Sequence, residues 1–178
     1  MKTGQPIKIL AEGRFIRFVE RDGWEFIDQP KLRGIVVIVA VTPEKRLLLV
    51  EQYRAALDAR VIELPAGMVG DVCGAEDEPF ENAAMRELEE ETGYAAERME
   101  LLTVGPASPG RIAFLYTFLR AHGLRRIHAG GGDEHEDIVV HEVPLAGLHA
   151  WLLARTTAGQ LVDPKIWTGL YFIHREMS

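Results

Sequence analysis

The spacing of apolar residues changes along the chain, and each change marks an element. Residues 15–19 and 24–27 alternate in part around Arg21-Asp22-Gly23, which predicts a β-hairpin. Residues 34–41 are apolar and largely β-branched throughout, as in a strand covered on both faces. Thr42-Pro43-Glu44-Lys45 predicts a turn, residues 46–52 a return strand, and residues 61–64 a short strand ended by Pro65 and Gly67. Residues 68–78 carry acids and glycines and are expected to form a loop. A helical period follows over 79–92, with Pro79 suited to the first turn and Gly93 to the position beyond the end. Strands are expected at 100–105, 111–120 and 137–143, and helices near 144–155 and 163–176. Mixed strands, one internal helix and two closing helices predict an α+β fold with a mixed-sheet sandwich.

Composition narrows the class. The 178 residues suit one domain, and an apolar share of 47% with 26% charged residues is that of an ordinary globular protein. The longest apolar run is far too short to span a bilayer, and the first residues lack the apolar core of a secretory signal. The expectation is a soluble, cytoplasmic protein. Cys73 is the only cysteine, so neither an internal disulfide nor a multi-cysteine zinc site can form. It has no paired base nearby in sequence and is not expected to act as a nucleophile. The net charge of −7, with scattered basic residues, argues against nucleic acid or an anionic membrane as partner. A polyanionic ligand would need a bound cation and a few placed arginines.

The helix over 79–92 is where charge and phase disagree. At about 100° per residue, Phe80, Ala83, Ala84 and Leu88 form one stripe. Glu87 and Glu91 fall on that stripe and Glu90 on its edge, while Asn82 and Glu89 take the opposite side. Three carboxylates thus crowd the last turn, where the helix dipole already disfavours anions by about 0.3–1 kcal/mol each. An acidic helix is ordinarily a solvated face, but a solvated face does not share a stripe with Phe80 and Ala84. A divalent cation resolves the conflict. Clustered oxygens without His or Cys favour Mg²⁺ or Mn²⁺ over zinc. Arg86, one turn before Glu90, can pair with that carboxylate.

Arg86-Glu87-Leu88-Glu89-Glu90-Glu91-Thr92-Gly93-Tyr94 resembles the core of the Nudix box, Gly-x5-Glu-x7-Arg-Glu-U-x-Glu-Glu-x-Gly-U, where U is a bulky apolar residue. Glu78 stands eight residues before Arg86, where that pattern has its first glutamate. Glu63-Leu64-Pro65-Ala66-Gly67 is similar to the strand that leads into the box. One departure is plain: ten residues separate Gly67 from Glu78, five more than in the pattern. The resemblance implies a Nudix-type α/β/α sandwich with a mixed β-sheet. It also implies Mg²⁺-dependent hydrolysis of a nucleoside diphosphate linked to another group, with Mn²⁺ able to substitute. By position in the box, Glu87, Glu90, Glu91 and the Ala66 carbonyl would hold metal. Glu90 and Arg86 would also belong to the catalytic centre, and Gly67 and Met68 would lie against substrate.

Outside the box the chain resembles the branch of the family that cleaves ADP-ribose and nucleoside diphosphate sugars. Ser108-Pro109-Gly110 puts a proline 16 residues after Gly93, and Glu51-Gln52-Tyr53-Arg54 precedes the box. The resemblance implies that Arg54 and Ser108 contact the small nucleotide substrate. Asp133-Glu134-His135-Glu136-Asp137, on its own a solvated acidic loop, resembles the loop that supplies a base and a further metal ligand in this branch. On that resemblance Glu134 would be the base and Glu136 the ligand, with His135 left at the surface. Residues 1–33 resemble the extra antiparallel sheet through which this branch forms homodimers, leaving 34–178 as the hydrolase domain. Trp24 and Phe26 are candidate interface residues. Two other readings stay open: a dinucleoside polyphosphate or nucleoside triphosphate hydrolase, and a ligand-sensing domain without turnover.

Overall fold

A computed structural model describes residues 5–70, 74, 76–132 and 137–177. Cys73, Glu134, His135 and Glu136 lie outside the described residues. The strands of the N-terminal half are β1 (Lys8–Glu12), β2 (Arg17–Arg21), β3 (Trp24–Asp28), β4 (Gly34–Ala40), β5 (Arg46–Arg54), β6 (Ala59–Glu63) and β7 (Ala66–Val69). Helix α1 (Phe80–Thr92) follows, then β8 (Tyr94–Ala95), β9 (Arg98–Pro106), β10 (Leu115–His122), β11 (Arg125–Arg126) and β12 (Val139–Pro144). Helix α2 (Leu148–Thr157), β13 (Leu161–Val162) and α3 (Lys165–Met177) close the chain.

Two mixed four-stranded sheets, in the orders β7-β4-β10-β9 and β12-β5-β6-β13, form the middle of the molecule. A bridge from Val41 to Leu47 joins them where β4 turns into β5. Alternate residues of β4 and β5 serve two cores. Val36, Ile38, Ala40 and Leu48 pack with Ala83, Ala84 and Leu88 of α1. Val37, Val39, Leu47 and Leu49 pack with Leu148 and Leu152 of α2 and Ile166 and Ile173 of α3. The uniform run at 35–41 is therefore a strand with a helix layer on each face, and the expected α/β/α sandwich is what forms.

The N-terminal strands make a separate antiparallel sheet, β1-β2-β3. Its β2–β3 turn is the one expected: Asp22 and Gly23 both have positive φ, at 54° and 80°. That is the backbone twist a two-residue hairpin requires. The partner strand β1 is an addition, since its pattern Lys8-Ile9-Leu10-Ala11-Glu12 alternates poorly and all five residues are exposed. The sheet is laced to the body through Ile27. Ile27 donates its amide to Arg111 O at 2.8 Å and receives that of Ala113 at 3.1 Å.

Several boundaries differ from the expectation, three of them for a clear physical reason. The helix expected from 144 begins at Leu148, because Pro144 still pairs with Arg46 in β12 and the Leu145 amide is held by Lys45 O at 2.9 Å. The strand expected from 111 begins at Leu115, because the Arg111 and Ile112 amides both close on Ser108 O at 2.9 Å to form a turn. Met68 and Val69 belong to β7 rather than to the loop, paired with Ile35 and Gly34.

Candidate active site

The phase argument for α1 holds in the fold. Ala83, Ala84 and Leu88 are fully buried, Glu89 is exposed, and Glu91 is 2% exposed on the inward stripe. The side chain of Glu87 is 13% exposed and that of Glu90, on the edge, 49%. Strand β7, paired to β4 with Val36 opposite Gly67 and Val37 opposite Ala66, runs along this stripe. The Ala66 amide donates to Glu91 Oε2 at 3.1 Å. Gly67 is forced by its neighbour. A Cβ there would lie 1.9 Å from Glu87 Cδ and 2.1 Å from its Oε1. The Glu87 carboxylate rests directly against peptide backbone, an approach only glycine allows.

Arg86 organises the rest. Its Nη1 donates to Glu87 Oε1 at 2.8 Å and Glu90 Oε2 at 3.2 Å, and its Nη2 donates to Glu78 Oε1 at 3.0 Å. Burial opposes the charge on this guanidinium, but the hydrogen bond to Glu78 and the charges of Glu87 and Glu78 outweigh it. Its pKa is held above the ordinary arginine value. One permanently cationic side chain thus keeps three carboxylates together at the acidic end of a helix. Among the described residues, no three acidic, His or Cys side chains are spaced to share a metal ion; Arg86 stands between Glu87 and Glu90.

The end of the helix is closed by backbone. Gly93 takes the left-handed conformation at φ 75°, and a Cβ there would meet His128 O at 2.3 Å. The carbonyls of Glu91 and Glu90 receive the amides of Gly131 and Gly132 at 2.9 and 3.0 Å. These bonds satisfy orphan acceptors of the last turn, and they fix residues 131–132 beside the box. The run Gly130-Gly131-Gly132 is the sequence signal for this close approach.

The other expected site residues fall at different distances from this cluster. Arg54, at the end of β5, donates through Nε at 3.0 Å and through Nη2 to Glu63 Oε2, a carboxylate only 9% exposed. Gln52 faces the same oxygen at 3.5 Å. Glu63 is the residue the pattern undervalued: a buried charge beside Val61 and Ile62 that needs a cation. Arg54→Ala is expected to cost about 1–3 kcal/mol in urea unfolding by leaving that acid without its partner. Glu63→Gln in the Arg54→Ala background should recover most of the loss.

Met68 lines a cavity of about 640 Å³ between the N-terminal sheet and β7, with Phe15, Arg17, Gln29 and Lys31. Its sulfur accepts from Gln29 Nε2 at 3.5 Å. Ser108 heads the turn that is laced to β3, so it lies with the N-terminal sheet rather than in the carboxylate cluster. Arg60 binds Asp137 Oδ2 at 2.7 Å and Glu51 O at 2.9 Å. It thereby anchors the residue that follows the acidic run 133–136 of the sequence.

Comparison with known proteins places this geometry. The NUDIX domain model matches residues 31–160. The chain belongs to the NUDIX family. It is 38% identical over 144 residues to the methanol dehydrogenase activator of Bacillus methanolicus, covering 80% of this chain and 74% of that protein. It is 40% identical over 113 residues to the ADP-ribose pyrophosphatase of Bacillus subtilis (strain 168), covering 63% of this chain and 58% of that one. A solved structure, the crystal structure of an ADP compounds hydrolase, superposes with a TM-score of 0.71 at 20% identity. That match covers 98% of this chain and 93% of the other, and it supports the Nudix fold. No helix among the described residues is long and apolar enough to cross a membrane.

Proposed function

We propose that this Nudix chain hydrolyses the pyrophosphate of ADP-ribose or a related nucleoside diphosphate sugar to a nucleoside monophosphate and a sugar phosphate. The observation that carries the reading is the arrangement of Glu87, Glu90 and Glu91. One is pressed on Gly67, one lies at the rim and one is buried beneath, with Arg86 gathering the first two. The similarity to the B. subtilis ADP-ribose pyrophosphatase supports the substrate class.

The donor set fits a hard divalent cation. It is all oxygen, Glu87, Glu90 and Glu91 share the last turns of one helix, and the glycine at 67 leaves Glu87 the room it occupies, with Arg86 standing where a cation would draw Glu87 and Glu90 together. Glu87, Glu90, Glu91, Glu136 and the Ala66 carbonyl would hold Mg²⁺, or Mn²⁺ in its place. Bound there, the cation supplies positive charge that polarises phosphoryl oxygens and eases ionisation of an attacking water. The chain's own groups do the remainder. Arg54 receives the nucleotide while Glu63 fixes its guanidinium, Gly67 and Met68 form the wall beside the box, and Ser108 contacts substrate from the turn after β9. Glu134 takes the proton of the attacking water, and Arg86 keeps Glu87 and Glu90 in place while charge moves through the site.

The N-terminal segment, 1–33, serves as a dimerisation sheet in this reading. Phe15 and Trp24 are 68% and 70% exposed, and Ile9, Ile16 and Phe18 are exposed with them. Apolar side chains exposed on both faces of one small sheet suit a second copy of the chain. Light scattering at micromolar concentration should give the mass of a dimer, and Trp24→Glu should give a monomer. A full-length monomer would remove this part of the proposal.

A panel of ADP-ribose, ADP-glucose, GDP-mannose, NADH and Ap4A with Mg²⁺ tests the substrate class. The expected result is preference for ADP-ribose or a sugar nucleotide. Preference for Ap4A would transfer the chain to the dinucleoside polyphosphate class.

A further inference from the structure

The stretch between Gly67 and Glu78 is five residues longer than the box pattern, yet Glu78 still reaches Arg86. A longer connection ordinarily costs its end residue definition, because more chain must be ordered to bring it back. In this chain the end of the connection is held from outside. Arg33, just before β4, donates through Nη1 to Glu78 O at 2.8 Å and reaches Glu76 O at 3.4 Å. Its guanidinium also lies 5.6 Å from the centre of the Phe80 ring, in the first turn of α1. The Arg33 backbone is itself fixed, its amide bonded to Val69 O at 3.0 Å beside the β4–β7 pair.

Helix α1 lacks the usual device at its start. Pro79 occupies the cap position and makes no side-chain cap bond. The entry angle is set instead by Phe80, whose ring packs so closely over Gly34 that a Cβ there would lie 2.9 Å from it. Arg33 therefore clasps both the last carbonyls of the long connection and the first ring of the helix. Between those two grips stands Glu78, whose carboxylate is the third partner of Arg86. Losing the clasp frees Glu78, and Arg86 then redistributes toward Glu87 and Glu90, its other two partners.

We infer that Arg33 is a positioning residue that lets the lengthened connection deliver Glu78 to Arg86, and so sets how tightly the box carboxylates bind a divalent cation. This rests on the proposal that Glu87, Glu90 and Glu91 hold the metal.

The test is Mn²⁺ binding to the full chain without substrate, followed by the free-ion signal in electron paramagnetic resonance. Loss of an outer-shell partner of a metal site typically costs about 10–100-fold in affinity. Arg33 is one step further out, so Arg33→Gln should weaken Mn²⁺ binding by about 5-fold. Arg33→Lys, which keeps the charge and one hydrogen bond, should recover part of that. Because Arg33 acts through Glu78, adding Arg33→Gln to Glu78→Gln should weaken binding no further than Glu78→Gln alone. In the ADP-ribose assay, the Mg²⁺ concentration for half-maximal rate should rise in Arg33→Gln more than kcat falls.

Unchanged Mn²⁺ affinity in Arg33→Gln, or losses that add in the double variant, would overturn the inference while leaving the metal site standing. If Arg33→Gln does not fold, Arg33→Lys alone decides: an affinity equal to the parent's overturns it, and a partial loss supports it. A parent protein that binds no Mn²⁺ at millimolar concentration overturns the metal proposal, and this inference with it.

Discussion

Glu134→Gln and Glu91→Gln are expected to lose activity in two distinguishable ways. A general base acts on the chemical step, so Glu134→Gln should lower kcat by about 10²–10⁴-fold. Mn²⁺ binding and KM should stay near the parent values. Glu91→Gln should instead raise the Mn²⁺ dissociation constant by at least the 10–100-fold, in round numbers, that outer-shell partners command. It should lower kcat/KM correspondingly at fixed Mg²⁺. Its stability should move the other way. Glu91 is an anion at 2% exposure beside two other carboxylates on the same helix, and it accepts the amide of Ala66. A glutamine can offer an amide oxygen to that same N–H while removing the buried charge. Thermal unfolding of Glu91→Gln in chelator should therefore occur at or slightly above the parent temperature. A clear drop would mean that the carboxylate is stabilised by its surroundings and is not held there at a cost. Near-parent kcat in Glu134→Gln would leave the acidic run 133–136 without a part in the chemical step.

Gly67→Ala is the second variant with a large expected effect. The added methyl would sit 1.9 Å from Glu87 Cδ, so one of the two must move. Glu87 is the end of a flexible side chain, whereas Gly67 is locked opposite Val36 in the sheet. The carboxylate gives way. Displacing a group of the reacting centre by about 1 Å can cost 10²-fold in rate, and kcat/KM for Gly67→Ala should fall by about that factor. Unfolding by urea should change little in comparison, because Ala replaces Gly in an extended strand with no positive φ. A variant that keeps full activity would show that the position of Glu87 is irrelevant to turnover.

The sequence made the helix and its conflict legible because a 3.6-residue period is a strong signal and charge on the wrong face stands out against it. Glu87, Glu90, Glu91 and Arg86 could be named from that alone, and the covered strand at 35–41 from its unbroken apolar run. What stayed hidden was set by pairings distant in sequence. Strand β1 has no clean alternation, since its five residues are exposed and only β2 gives them register. Arg33 looks like a loop cation until the 76–78 backbone is seen against it, and Arg60 reads as one polar residue of a short strand until Asp137, 77 positions on, meets it. Glu63 was visible as a letter in the lead-in to the box, but its need for Arg54 depends on burial that no local pattern expresses. The turn at Ser108 displaced a strand boundary for the same reason, because two amides closing on one carbonyl override a run of β-prone residues.

The most direct test of the account is incubation of the full chain with ADP-ribose, with Mg²⁺ in one arm and excess chelator in the other, and identification of the products. AMP and ribose 5-phosphate in the Mg²⁺ arm, absent in chelator and lost in Glu91→Gln, are the expected result. No cleavage of ADP-ribose or of any other pyrophosphate, with either Mg²⁺ or Mn²⁺, would contradict it.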